Sequence, residues 1–206
     1  ARLALFHPLG FMLAQPLETA EEIAAALPHP FAVEDKYDGI RAQAHVGRDA
    51  HGAVRVALYS RTLDEITHSY PEVVHALSSL LAPRSPLAPS SGNGSAERGA
   101  RSEEEGGLIL DGELLAHDPT DPTRALPFNA FQRRLGRKAP DAALLAELPV
   151  QLVVYDAVAW DGALVIDEPW SARRARLAAV AWPEPAVRLA PHRMVSSAEE
   201  LERAFE

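Results

Sequence analysis

Within nine positions, 33 to 41, the stretch VEDKYDGIR holds Glu34, Asp35, Lys36, Asp38 and Arg41. A lysine amine is a nucleophile only when neutral. At an unperturbed pKa of about 10.4, roughly one amine in a few thousand is neutral at pH 7. Burial or a neighbouring cation raises that fraction. Carboxylates lower it, until a divalent metal or a triphosphate changes the local charge. A lysine set among carboxylates therefore suits a site that works with a metal nucleotide bound. On spacing alone, the same residues equally describe a surface strand whose charges pair with one another.

The elements around the stretch must position it. Phe31, Val33, Asp35 and Tyr37 alternate with Ala32, Glu34, Lys36 and Asp38, which is strand period. Asp38-Gly39 is a tight-turn signal, and Ile40, Ala42, Ala44 and Val46 then alternate with Arg41, Gln43 and His45. The pattern predicts a β-hairpin with Glu34, Lys36 and Asp38 on one face and Phe31, Val33 and Tyr37 in the core. Asp38 either shapes the turn or touches a ligand. Upstream, Thr19 and Glu22 form a capping box for a helix that Pro28 ends.

Downstream, VRVALYSRT reads as a third strand and SYPEVVHALSSLL as a helix with an apolar stripe of Val73, Val74, Leu77, Leu80 and Leu81. GLILDGELLAH reads as a strand around a second Asp-Gly turn. PFNAFQRRLG reads as a helix with Phe128, Phe131 and Leu135 on one side and Gly136 as its stop. VQLVVYDAVAWDG is a central strand that ends at a third Asp-Gly. PWSARRARLAAVAW is a helix with Pro169 near its start, and SSAEELERAFE is a helix capped by Ser196 or Ser197. Residues 82–106 carry three prolines, four glycines, five serines and no aromatic residue, so they are expected to form a surface or disordered loop. Strands and helices mix without a βαβ rhythm. The expected class is α+β, with mostly antiparallel sheets and flanking helices.

Bulk properties bound the function. The chain has 206 residues, 47% hydrophobic and 24% charged, which fits a globular domain. It has no apolar run long enough to span a membrane and no signal-peptide pattern. It has no cysteine, so thiolate chemistry and disulfides are excluded and a cytoplasmic location is expected. The eight histidines show no metal-ligand spacing, and Trp160, Trp170 and Trp182 are expected to serve packing. The net charge of −9 lacks the basic footprint of a nucleic-acid-binding module. Any polyanion contact must therefore be local or rest on segments beyond this chain.

Six segments together carry a resemblance. KYDGIR (36–41) resembles the K-x-D-G-x-R signature of the covalent nucleotidyltransferases, namely ATP-dependent DNA ligases, RNA ligases and mRNA capping enzymes. LYSRTLDEIT (58–67) is similar to the Ser-Arg signature of ATP-dependent DNA ligases. LDGELLA (110–116) resembles their Asp-Gly-Glu strand, and VVYDAVAWDG (153–162) their aromatic-Asp segment. FMLAQPL is similar to the Met-Leu-Ala stretch that precedes the lysine, and FQRRLGRK resembles bacterial members. The signatures occur in the family's order and cover nearly the whole chain apart from 82–106.

The resemblance implies an adenylation (nucleotidyltransferase, ATP-grasp-like) domain. It assigns Lys36 as the nucleophile that takes AMP from ATP, and Glu34 as the residue near the adenine amino group. It assigns Arg41 and Arg61 to ribose and phosphate, and Glu113 to the ribose and a metal. It assigns Tyr155, where most relatives have Phe, to stacking on adenine. It implies ATP and Mg²⁺ or another divalent cation, nicked duplex DNA as the partner of the full-length protein, a monomer, and roles in DNA repair, replication and recombination. The family's later Glu-Gly strand, its lysine pair and its OB-fold are not found. The chain is therefore expected to be the N-terminal portion of an adenylation domain, weakly active or inactive alone. An RNA ligase, a capping-type enzyme and a catalytically inactive binding homologue stay open as alternatives.

Overall fold

The computed structural model describes residues 4–81, 107–137 and 139–205. The loop expected at 82–106 lies outside the described residues. In chain order the elements are α1 (Ala20–Ala26), β1 (Phe31–Glu34), β2 (Ile40–Arg48), β3 (Val54–Ser60), α2 (Pro71–Ser78), β4 (Leu108–Ala116), α3 (Phe128–Phe131), α4 (Ala142–Glu147), β5 (Val150–Trp160), β6 (Ala163–Leu164), α5 (Trp170–Ala178), β7 (Val187–Leu189), β8 (His192–Val195) and α6 (Ala198–Glu202). The class is α+β, as the pattern predicts. The chain forms two compact units, one of residues 1–9 and 38–189 and one of residues 10–37 and 190–206.

The larger unit is built on a six-stranded sheet in the order β3-β2-β4-β5-β6, with β7 also paired to β5. All pairings are antiparallel except β5–β7. Strand alternation sorts the side chains. Ala42, Ala44 and Val46 of β2, Val56 and Leu58 of β3, Leu108, Leu110 and Leu114 of β4, and Val150, Leu152 and Val154 of β5 share one core with Val73 and Leu77 of α2 and Leu177 of α5. Leu58, Leu77, Leu110, Leu114, Leu152 and Leu177 are fully buried, each worth about 1.5–3 kcal/mol relative to exposure. The predicted stripe on α2 holds for Val73 and Leu77, while Val74, Leu80 and Leu81 are half-buried at its margin.

A charged knot closes this core. Arg134 is fully buried, in the 3₁₀ turn Gln132–Arg134 that follows α3. Its Nη1 donates to the Leu148 carbonyl at 2.7 Å, and its Nη2 donates to the Ser69 carbonyl at 2.9 Å. Nη2 also pairs with Glu72 Oε1 at 2.9 Å, and that oxygen accepts the Val150 N–H. The guanidinium lies 5.7 Å from the centroid of the Tyr70 ring. Burial pushes the Tyr70 phenol up to about 12. Leu135, expected on the apolar side of this segment, is 40% exposed, because the chain leaves the 3₁₀ turn there.

On the opposite face of the sheet, the N-terminal segment is held by polar bonds. The Phe6 N–H donates to His45 Nδ1 at 2.9 Å, His45 Nε2 lies 2.9 Å from Gln43 Oε1, and the Leu9 N–H donates to that same oxygen. Tyr59 Oη donates to the Phe6 carbonyl. With Nδ1 accepting, Nε2 carries the proton, so buried His45 is neutral. Burial, and after it the charges of His7 and Arg55, lower its pKa to about 4.

The smaller unit pairs β1 with β8, Phe31 opposite Val195 and Glu34 opposite His192. Phe31, Val195 and Leu201 form its core, with Ala20, Ile23, Ala24 and Val33 packed against it. The Thr19 cap is present, its hydroxyl accepting the Glu22 N–H at 3.2 Å. The Glu22 carboxylate accepts the N–H of Glu18 rather than closing the box on Thr19. Ser197, not Ser196, caps α6.

Two sequence expectations are corrected. The hairpin joining β1 to β2 does not form. β1 stops at Glu34 and pairs with β8, while β2 pairs with β3 and β4. The second Asp-Gly pair, 111–112, makes no turn, because β4 runs through it. Both glycines are there for closeness. A Cβ on Gly39 would sit 2.2 Å from the Leu114 carbonyl oxygen, and one on Gly112 would sit 2.6 Å from that of Val153. Of the three Asp-Gly pairs, Asp161-Gly162, with φ of 49° and 76°, is the one that makes a hairpin turn, linking β5 to β6.

Candidate active site

On the larger unit's polar face, the register lays a row across the sheet. Arg41 of β2 pairs with Glu113 of β4, and Glu113 pairs with Val153 of β5. Two residue pairs further along, on the same face, Gln43 faces Asp111. β4 is buried at every position except Asp111 and Glu113, which are half-buried. Half-burying two carboxylates on a central strand costs free energy unless they are paired, so their partners matter.

Asp111 is the hub. Arg41 Nη2 donates to Asp111 Oδ2 at 2.6 Å and Arg41 Nε to Oδ1 at 3.2 Å, a two-pronged pair. That hydrogen bond is the main reason the Arg41 guanidinium is raised above its ordinary value. The Arg41 guanidinium also lies 5.8 Å from the centroid of the Tyr155 ring. The Tyr155 phenol is pushed well above its usual range, first by burial and then by the charge of Asp111. One Glu113 oxygen accepts the Gly39 N–H at 3.2 Å, which fastens the start of β2 to β4.

Tyr155 owes its place to a β-bulge. Asp111 pairs with Asp156 and Gly112 with Val154, which leaves Tyr155 as the extra residue of β5. Bulges re-aim a side chain, and this one turns the ring toward Arg41 and Asp111.

The structure thus brings together three of the residues singled out in the sequence, Arg41, Glu113 and Tyr155. It adds Asp111, which the turn reading of Asp111-Gly112 concealed. Arg61 is exposed, in a tight turn after β3. Ser60 pairs with Ala42, so that turn leaves the sheet at the level of Arg41. Glu34 is the last residue of β1 in the smaller unit and is exposed. Lys36 is exposed in the irregular segment after β1, so strand alternation does not set its direction as the sequence pattern predicted.

Among the described residues, no group of three His, Asp, Glu or Cys side chains could hold a metal ion. Asp111 is paired with Arg41, and Glu113, which accepts the Gly39 N–H, is the other half-buried carboxylate of β4 on this face. That suits a magnesium ion carried mainly by substrate phosphates and one carboxylate, rather than one caged by protein. No described helix is long and apolar enough to cross a membrane.

Residues 11–87 and 95–206 match the family model described as the ATP dependent DNA ligase domain. The chain is 40% identical, over 228 residues, to a probable DNA ligase of Koribacter versatilis (strain Ellin345), an alignment that covers 100% of this chain and 34% of that protein. It is 36% identical over 198 residues to a DNA ligase of Pyrobaculum islandicum, covering 96% of this chain and 29% of that protein. Its fold is similar to that of a mycobacterial DNA ligase D complexed with ATP and MES, with a TM-score of 0.58 at 22% identity, over 97% of this chain and 52% of the other. The chain spans about a third of the length of these curated relatives.

Proposed function

The chain belongs to the ATP-dependent DNA ligase domain family, and from that premise we propose that it supplies the nucleotide-binding, lysine-adenylating part of an enzyme that seals nicks in duplex DNA. The observation that supports this most is the Arg41–Asp111–Tyr155 cluster beside Glu113, on the face of a sheet whose other side is closed by helices. A fixed arginine, an aromatic ring and a carboxylate are the groups that a nucleotide's phosphate, base and ribose call for.

In this reading the Lys36 amine attacks the α-phosphorus of ATP. The nitrogen–phosphorus bond forms, the bond to the bridging oxygen breaks, and pyrophosphate leaves with that electron pair. The ammonium proton is lost to solvent. AMP then passes to the 5′-phosphate of a nick, and the 3′-hydroxyl displaces it to close the strand. Arg41 and Arg61 neutralise phosphate charge, Tyr155 stacks on the base, Glu113 holds the ribose, and Glu34 reads the adenine amino group. A magnesium ion, when bound through the phosphates and Glu113, would add charge neutralisation at the transferring group.

Sealing of nicked duplex DNA by the full-length protein with ATP and a magnesium salt tests the proposal. Sealing of DNA in preference to nicked RNA, with AMP and not GMP trapped on the protein, is the expected result. Preference for RNA or trapping of GMP would replace it with an RNA ligase or a capping-type enzyme. Absence of any nucleotide transfer would favour a binding homologue.

A further inference from the structure

We propose that Asp156 and Arg173 form a positioning pair that aims Tyr155 at the nucleobase, so that Arg173 of α5 sets the affinity for ATP without touching it. The inference rests on the stacking role given to Tyr155 above.

The reason lies in the bulge. In an unbroken strand, neighbouring side chains point to opposite faces and the ladder fixes both. An inserted residue loses its ladder partner, so its direction depends on what holds the chain on either side. On one side of Tyr155 is Val154, fully buried in the core. On the other is Asp156, whose carboxylate is tied three ways. Its Oδ1 accepts the Ala157 N–H at 2.8 Å. Arg173 Nε donates to Oδ1 at 2.7 Å and Arg173 Nη2 to Oδ2 at 2.8 Å, a fork-to-fork match. Arg173 Nη1 donates to the carbonyls of Ile166 and Glu168 in the turn before α5. The guanidinium is therefore engaged by protein groups on all three nitrogens. It fastens the bulge to a helix that itself packs on β5.

Two adjacent residues are thus held by different anchors. Asp156 is fixed to α5, and the Tyr155 ring lies against the Arg41 guanidinium that Asp111 holds. If the first anchor loosens, the extra residue can slip along the ladder and the ring leaves its place. Lysine at 173 keeps the charge but offers a point donor in place of a fork. Asparagine at 156 keeps the shape but loses the charge.

The test is the kinetics of lysine adenylation in the full-length protein, with melting temperatures taken alongside. Arg173→Lys and Asp156→Asn should each raise the KM for ATP about 10- to 100-fold, with kcat little changed. Tyr155→Leu should raise it as well. In the Tyr155→Leu background, Arg173→Lys should add nothing, because there is no ring left to aim. If Arg173→Lys does not fold, Asp156→Asn carries the same comparison. A Tyr155→Leu variant with an unchanged KM would sink the stacking role and this inference together. If Tyr155→Leu raises the KM but the Arg173 and Asp156 variants only lower the melting temperature, or their effects add to it, the positioning pair alone is overturned.

Discussion

Two arginine–carboxylate pairs sit on opposite sides of the same sheet, and they differ in what surrounds them. Arg134 is sealed, with 0% of its side chain exposed, and its two Nη groups go to Glu72 and to the Leu148 and Ser69 carbonyls. Arg41 is half-open, its side chain 26% exposed, and it is held by Asp111 beside an aromatic ring. The sealed pair joins three segments that are distant in sequence and has no face left for a ligand. The open pair fixes one guanidinium on the face that also carries Glu113 and Tyr155. The same chemistry serves cohesion in one place and recognition in the other, and solvent access separates the two.

Cutting the sealed pair should have the largest effect. Arg134→Met removes one partner and leaves Glu72 with a poorly solvated charge, a loss of about 3–5 kcal/mol. Urea unfolding should show a lower midpoint, and a change under about 1 kcal/mol would mean that Glu72 escapes to water. Cutting the open pair should affect function more than stability. Arg41→Ala is expected to lower nucleotide transfer by about 10²–10³-fold. Its unfolding midpoint should move less than that of Arg134→Met, because the Arg41 side chain is itself 26% exposed and truncating it lets water reach Asp111. Equal destabilisation by the two variants would erase the contrast drawn between them.

The polar face also has a closed end, at His45. Its folded pKa, about 4, lies below the ordinary value of 6.5. The unfolded state then binds more protons between these values, so stability is full above about pH 6.5 and falls as pH drops toward 4. The loss is about 3 kcal/mol over that window, from roughly 1.4 kcal/mol per pKa unit. Carboxylates titrate nearby, so the measurement is the difference in pH slope between the parent protein and His45→Gln. The parent should be steeper, and identical slopes would mean that His45 is not the buried neutral group described.

Local features were legible in the sequence where a single stretch determines them. The Thr19 cap, the apolar positions of α2 and the β5–β6 turn at Asp161-Gly162 all follow from nearby residues. Asp38-Gly39 and Asp111-Gly112 have the same letters but not the same role. Their glycines admit a carbonyl from a neighbouring strand, which is a tertiary fact. The partner of β1 was equally hidden, since Phe31–Glu34 pairs with residues about 160 positions later. Arg41, Glu113 and Tyr155 were found through resemblance to a family. Asp111 was missed because a turn residue and a hub residue look alike until the strand is seen to continue. The bulge at Tyr155 leaves no mark in strand periodicity until its pairing with β4 is known.

The most direct measurement of the central claim is where AMP becomes attached. The full-length protein would be incubated with ATP labelled at the α-phosphate and a magnesium salt, then digested and mapped. Label is expected on Lys36, none in Lys36→Ala, and much less in Arg41→Ala. Label on another residue, or undiminished label in Lys36→Ala, would contradict that claim.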